Sequence, residues 1–308
     1  MHVLRWDLDR TYLETEITSL RGLVRAALED AATKRTVPGA AALIRGLCQH
    51  DPLAEVRILS GSPTQMREVL LQKLALDGVR VDRLILKDNL GNLRRGRLRA
   101  VRGQVGYKLP ELLEDRVDVP SSARETLFGD DSEADALIYA AYAALLAGEL
   151  HVDDLVRILQ AGGAYPDAVD RAVAAARRVA QADAVDGIFI RVDRGVPVSV
   201  YRTLGSRVWP VFSWLQAALV LWGRERLPES ALHEVAESVE APEARVGLLV
   251  DAVRRGLVDG EAIERALALP TFEAIAPAAR RAVAQLGPPQ PVSVPAIPDY
   301  LAFLAAVR

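Results

Sequence analysis

Apolar and polar positions run along the chain in two alternating periods. Short apolar runs of strand length occur at residues 2–7, in "AEVRILSGSP", where the run stops at Ser60 and turns through Gly61, in "VDRLILKD", and in "RETLFG". Between them, apolar residues recur three or four positions apart. "ITSLRGLVRAALEDAATKR" shows this at Leu20, Leu23, Val24, Ala27 and Leu28, and "VPGAAALIRGLCQHD" begins a fresh helix after Pro38 and Gly39. "TQMREVLLQKLALDG" reads as a helix stopped by Gly78, "YKLPELLED" as the start of another, and "ADALIYAAYAALLAG" as a long apolar one. Strands alternating with helices at this spacing predict an α/β fold, a parallel sheet with helices on both faces. In such sheets ligands bind beyond the carboxyl ends of the strands, where Asp7, Ser60 and Asp130 all fall.

After residue 150 the pattern changes. "DDLVRILQAGGAYPDAVDRAVAAARRVAQA" reads as a helical pair and "DGIFIRVDRGVPVSVY" as one more strand of the same sheet. From Val208 to about Leu286 helix follows helix, and the end is proline-rich. The expected division is 1–204 for the sheet domain, with its motifs in 1–148, then 205–286 as a helical region and 287–308 as a tail. "VWPVFSWLQAALVLWGR" is the longest apolar stretch, but Pro210 and Gln216 interrupt it. It falls short of the ~20 apolar residues of a membrane span and reads as a buried helix.

Composition narrows the function. Apolar residues make up 50% and charged residues 26%, with a net charge of −3, which argues against a dedicated nucleic-acid binder. The single cysteine, Cys48, excludes an internal disulfide, and its C-x-H pairing with His50 has no further ligand nearby. The first residues carry no basic segment leading into an apolar core, so a cytoplasmic location is the expectation.

Four pieces of chemistry stand in order: D-x-D-x-T at Asp7, Asp9 and Thr11; Ser60; Lys108 in "GYKLPEL"; and "GDDSEAD" with Asp130, Asp131 and Asp135. Singly each is common. Together, each in its strand–loop context, they resemble the haloacid dehalogenase superfamily of phosphohydrolases. "ILSGSPTQM" and "GDDSEADALIY" are most similar to the catalytic domain of the actin-patch phosphatidate-phosphatase family. The resemblance implies a Rossmann-like sheet and a magnesium-dependent phosphatase working through an aspartyl-phosphate. Arg10 and Asp131 depart from the family pattern, which has a small or acidic residue and a serine there.

The residue chemistry agrees. Phosphoryl transfer asks chiefly for positioning and charge stabilisation, and a carboxylate such as Asp7 can act as covalent nucleophile. Asp9, two residues on, can exchange protons with the leaving group and with water. Mg2+ is usually held by one or two carboxylates plus substrate phosphate, a task for Asp7 and Asp130. The resemblance adds the Asp9 carbonyl, and Asp131 or Asp135 would complete the shell. Ser60 would bind phosphate oxygens and Lys108 neutralise charge. Thr11 would brace the loop after Asp7. Residues 12–36 leave room for one helix over the site, a minimal cap, which favours a large phosphate ester. Arg94, Arg95, Arg97, Arg99 and Arg102 form a basic stretch that can meet an anionic membrane surface or a polyanion. A polynucleotide-end phosphatase and a non-catalytic scaffold of the same fold are the competing functions.

Overall fold

The computed structural model describes residues 1–14, 30–88, 103–132, 134–239, 241–287 and 298–306. Most of the helix expected within 17–35, the five arginines of 94–102 and most of the proline-rich tail lie outside the described residues; at the described end of the first, Ala31–Thr33 form a single 3-10 turn.

The chain forms two compact units. One comprises Met1–Arg35, Ala54–Pro210 and Val294–Arg308, the other Thr36–Leu53 and Val211–Ser293. The first holds the sheet, apart from Val211 at the end of its last strand. Its strands are β1 (His2–Trp6), β2 (Glu55–Pro63), β3 (Arg83–Lys87), β4 (Arg124–Asp130), β5 (Val185–Arg191) and β6 (Val208–Val211), in spatial order β3-β2-β1-β4-β5-β6. The pairings β1–β2, β2–β3, β1–β4 and β4–β5 are parallel. This is the expected α/β, Rossmann-like arrangement. The strand order reverses between β1 and β4, the switch point at which such sheets bind ligands.

Helices of this unit include α2 (Arg67–Leu76), α3 (Val105–Val117), α4 (Asp135–Leu146), α5 (Val152–Ala161) and α6 (Pro166–Ala176). Every residue of α4 is buried, and after Asp135 at its start the helix is apolar nearly all round, as a helix enclosed by its neighbours must be. It joins one core with α3, α5, Leu59, Leu127 and Ile188. On the opposite face, register sets Trp6, Phe128 and Phe189 abreast on three strands. Trp6 and Phe128 stack at 4.1 Å, and Phe128 and Phe189 at 5.5 Å.

The second unit is helical: α1 (Ala40–His50), α7 (Trp214–Gly223), α8 (Glu229–Glu237), α9 (Pro242–Arg254), α10 (Gly260–Leu267) and α11 (Ala276–Ala284). Gly46 lets α1 approach α8 closely, since a Cβ there would fall 2.2 Å from the Ala231 Cβ. The apolar stretch from Val208 is a correction to the sequence reading. Its first residues extend the sheet as β6 and only Trp214–Gly223 is helical, with the Ser213 hydroxyl capping the Leu215 amide. Proline is tolerated in β6 because an edge strand can spare a donor. No helix among the described residues is long and apolar enough to cross a membrane.

Candidate active site

The site forms where β1 and β4 end side by side. Asp7 follows β1 directly, and its amide extends the ladder by donating to the Phe128 carbonyl at 2.9 Å. Asp130 is the last residue of β4. Both are fully buried, as are Thr11, Ser60, Lys108 and Asp135. Buried charges on this scale are tolerated only when paired, and the pairs are present. Lys108, from the first turns of α3, places Nζ 2.7 Å from Asp7 Oδ1 and 2.6 Å from Asp135 Oδ1. Thr11 Oγ1 donates to Asp7 Oδ2 at 2.9 Å, the bracing expected of it. Asp135 opens α4, where the helix dipole favours a negative charge, and its Oδ2 lies 3.4 Å from the Asp130 amide.

Asp9 is drawn toward β2. Ser60 Oγ donates to Asp9 Oδ2 at 3.1 Å and Ser62 Oγ to the same oxygen at 2.8 Å. The sequence reading ended this strand at Ser60. Here β2 continues to Pro63 through a register shift, Ser60 pairing with Leu86 and Pro63 with Lys87. Such a bulge re-aims side chains, and this one delivers two hydroxyls instead of one.

The acidic loop separates its members. Asp130 accepts from the Ser132 hydroxyl and amide, each at 2.8 Å. Asp131 turns away: its Oδ2 accepts the Arg194 amide at 2.9 Å, in the loop after β5. Asp7, Asp9, Ser60, Lys108, Asp130 and Asp135 are thus gathered at the sheet end, with Asp131 at the margin. Sequence reasoning gave no role to Ser62, Arg10, Arg191 or Asp193. The left-handed backbone of Arg10 (φ +62°) and the bulge both depend on the fold and leave no local signature.

A tyrosine on each of α3 and α4 beside the site has a shifted titration. Burial, and then the negative charge of Asp135, hold the Tyr139 phenol well above its ordinary range. Burial, and then Glu111, do the same for Tyr107. Both are neutral at any working pH.

Does the donor set suit a magnesium ion? Asp7 and Asp130 offer hard carboxylate oxygens at adjacent strand ends, the one or two that Mg2+ takes when substrate and water supply the rest. Among the described residues no three His, Cys, Asp or Glu side chains form a ready cage. The chemistry fits a hydrated Mg2+ better than a fully caged ion.

Gly129 sets the spacing of this cluster. A Cβ there would stand 2.7 Å from Asp135 Cβ and Oδ2 and 2.8 Å from the Tyr139 ring. Gly129→Ala must therefore displace Asp135 from Lys108. The expected result is a folded protein destabilised by ~1–3 kcal/mol, the usual cost of overpacking, with turnover lowered at least tenfold. Thermal melts and an aryl-phosphate assay on the purified variant check both halves.

Residues 6–152 match the family model of the phosphatidate phosphatase APP1 catalytic domain. The matched segment contains all seven candidate site residues and ends before β5. No curated protein and no solved structure matches the chain.

Proposed function

We propose, for a chain whose residues 6–152 match the family model of the phosphatidate phosphatase APP1 catalytic domain, that it is a magnesium-dependent phosphatase acting through an aspartyl-phosphate on a phosphatidate-like lipid. The observation that carries this reading is the buried Asp7–Lys108–Asp135 cluster beside Asp130 at the switch point. An Asp7 carboxylate oxygen attacks phosphorus while the ester P–O bond breaks. The leaving oxygen takes a proton from Asp9, whose carboxyl is oriented by Ser60 and Ser62. Water then attacks the phosphorus of the acyl phosphate, giving its proton to Asp9, and phosphate and free Asp7 result. Lys108 holds Asp7 in place and offsets charge on the transferring group. A bound Mg2+, held by Asp7 and Asp130, would supply further charge stabilisation on the phosphate oxygens.

The lipid assignment draws on the family and on the five arginines of 94–102, which would meet an anionic surface at ~1 kcal/mol each, weakening with salt. One assay tests the reading: phosphate release from phosphatidate vesicles, an aryl phosphate and a 5′-phosphorylated oligonucleotide, each with Mg2+ and with excess chelator. Release from the vesicles, lost in chelator and reduced at high salt, is expected. Activity that persists in chelator would remove the metal from the reading. Preference for the oligonucleotide would replace the lipid by a nucleic-acid end, and inactivity on all three would leave a scaffold.

A further inference from the structure

Arg10 belongs to the loop after β1, yet two of its anchors, Arg191 at the end of β5 and Asp193 just after it, lie beyond the segment that matches the family. Its φ of +62° is a conformation that non-glycine residues adopt at a cost, and such conformations persist only where the surroundings enforce them. Here the Arg10 amide donates to the Leu13 carbonyl at 2.8 Å, and Arg191 Nη1 donates to the Arg10 carbonyl at 2.8 Å. Arg10 Nη2 donates to Asp193 Oδ2 at 2.6 Å, and Arg191 Nη2 lies 3.4 Å from the other Asp193 oxygen.

Two features of this arrangement point to a ligand. Two guanidinium groups share one Asp193 carboxylate, and the next carboxylate, Asp130, lies 3.9 Å from Arg10 Nε, so the pair sets its positive charge at the edge of the site beside Asp130. The Arg10 Nε–H is buried with no hydrogen-bond partner; Asp130 Oδ2, at 3.9 Å, is too far to accept from it. A buried donor left unspent on a rigidly held side chain calls for an acceptor. We infer that Arg10 is a substrate-binding residue whose guanidinium donates to an oxygen of the phosphate group, on the side of the site away from Ser60. Asp193 and Arg191 are positioning residues. The planar, weakly hydrated guanidinium suits phosphate better than an ammonium would. That the bound anion is a substrate phosphate rests on the phosphatase reading above.

The alternative is that Arg10 only screens Asp130. Titration calorimetry with inorganic phosphate, and separately with Mg2+, on the full chain distinguishes them, using wild type, Arg10→Ala and Arg10→Lys. The proposal expects phosphate affinity to fall about ten- to a hundredfold in Arg10→Ala, the loss of one charge-assisted hydrogen bond. Arg10→Lys, which keeps the charge but loses the Nε–H, should fall between. For aryl phosphate, KM should rise more than kcat falls. Unchanged phosphate affinity in Arg10→Ala, with or without tighter Mg2+ binding, overturns the proposal, as does a wild type that binds no phosphate. If Arg10→Ala does not fold, Arg10→Lys decides, and wild-type affinity there overturns it. A wild type that binds phosphate through Arg10 yet hydrolyses no ester sinks the phosphatase reading alone.

Discussion

Asp7→Asn is expected to abolish turnover while leaving the protein as stable as wild type, or more so. The chemical half follows from the mechanism proposed above: an amide is no nucleophile, and loss of a covalent nucleophile costs at least about three orders of magnitude in kcat. The stability half comes from charge. Asp7, Asp135 and Lys108 are fully buried, two negative charges against one positive. Asparagine leaves Lys108 paired with Asp135 at 2.6 Å and offers it a carbonyl in place of the carboxylate, while the Thr11 hydroxyl can turn to accept from the new amide. One buried charge disappears and no partner is stranded. Lys108→Met makes the contrast, because it leaves two carboxylates buried without their cation and should cost ~3–5 kcal/mol. Urea unfolding and single-turnover aryl-phosphate kinetics on both variants measure the two halves. Turnover by a folded Asp7→Asn protein would remove the covalent step, and a strongly destabilised one would mean that Asp7 is structural.

Much of this site was legible because strand ends announce themselves. "HVLRW" followed by Asp7, and "TLFG" followed by Asp130, are apolar runs broken by a carboxylate, and parallel pairing brings such breaks together. Lys108 is different. Nothing local separates it from a surface lysine, and only the resemblance singled it out before the fold showed it buried. The second hydroxyl on Asp9 was hidden by the bulge, since Ser60–Pro63 reads equally well as a turn. Arg10 and Asp193 stand 183 residues apart, a separation across which no periodicity carries information. The same limit explains α1. Its apolar face predicts burial but not the partner, and it packs with α8, nearly two hundred residues on. The sequence pattern also missed the charges buried under the sheet, because Arg5 and Glu125 each interrupt an apolar run that reads as a strand with or without them.

Those charges carry the other large effect: Glu125→Gln should destabilise the protein by ~3–5 kcal/mol, and the loss should shrink as the pH falls. Glu125 is fully buried in β4 and receives four donors. Arg5 reaches it twice, Nε at 2.9 Å and Nη2 at 3.0 Å, Arg116 Nη1 at 3.0 Å and the Tyr142 hydroxyl at 2.7 Å. Arg5 Nη1 continues to Asp115 at 2.5 Å, which Arg57 also meets at 2.8 Å. Burial alone would raise the Glu125 pKa, but Arg5, and then Arg116, outweigh it and hold the carboxyl below its usual 4.5. Asp115 is likewise held below its usual 3.8, burial again being opposed chiefly by Arg5. A carboxyl whose folded pKa lies below its unfolded one adds stability above the unfolded value. As pH falls through the interval between the two, the unfolded chain binds more protons and that stability is lost. Wild type should therefore hold a nearly constant unfolding free energy above about pH 5 and weaken steeply below about pH 4. In Glu125→Gln the carboxyl is gone but Arg5 and Arg116 remain buried, so the variant starts lower and declines less. Urea midpoints for both proteins at pH 7, 5, 4 and 3 test this. Parallel curves would mean that Glu125 contributes no proton linkage, and a variant equal to wild type at pH 7 would mean that the network is energetically idle.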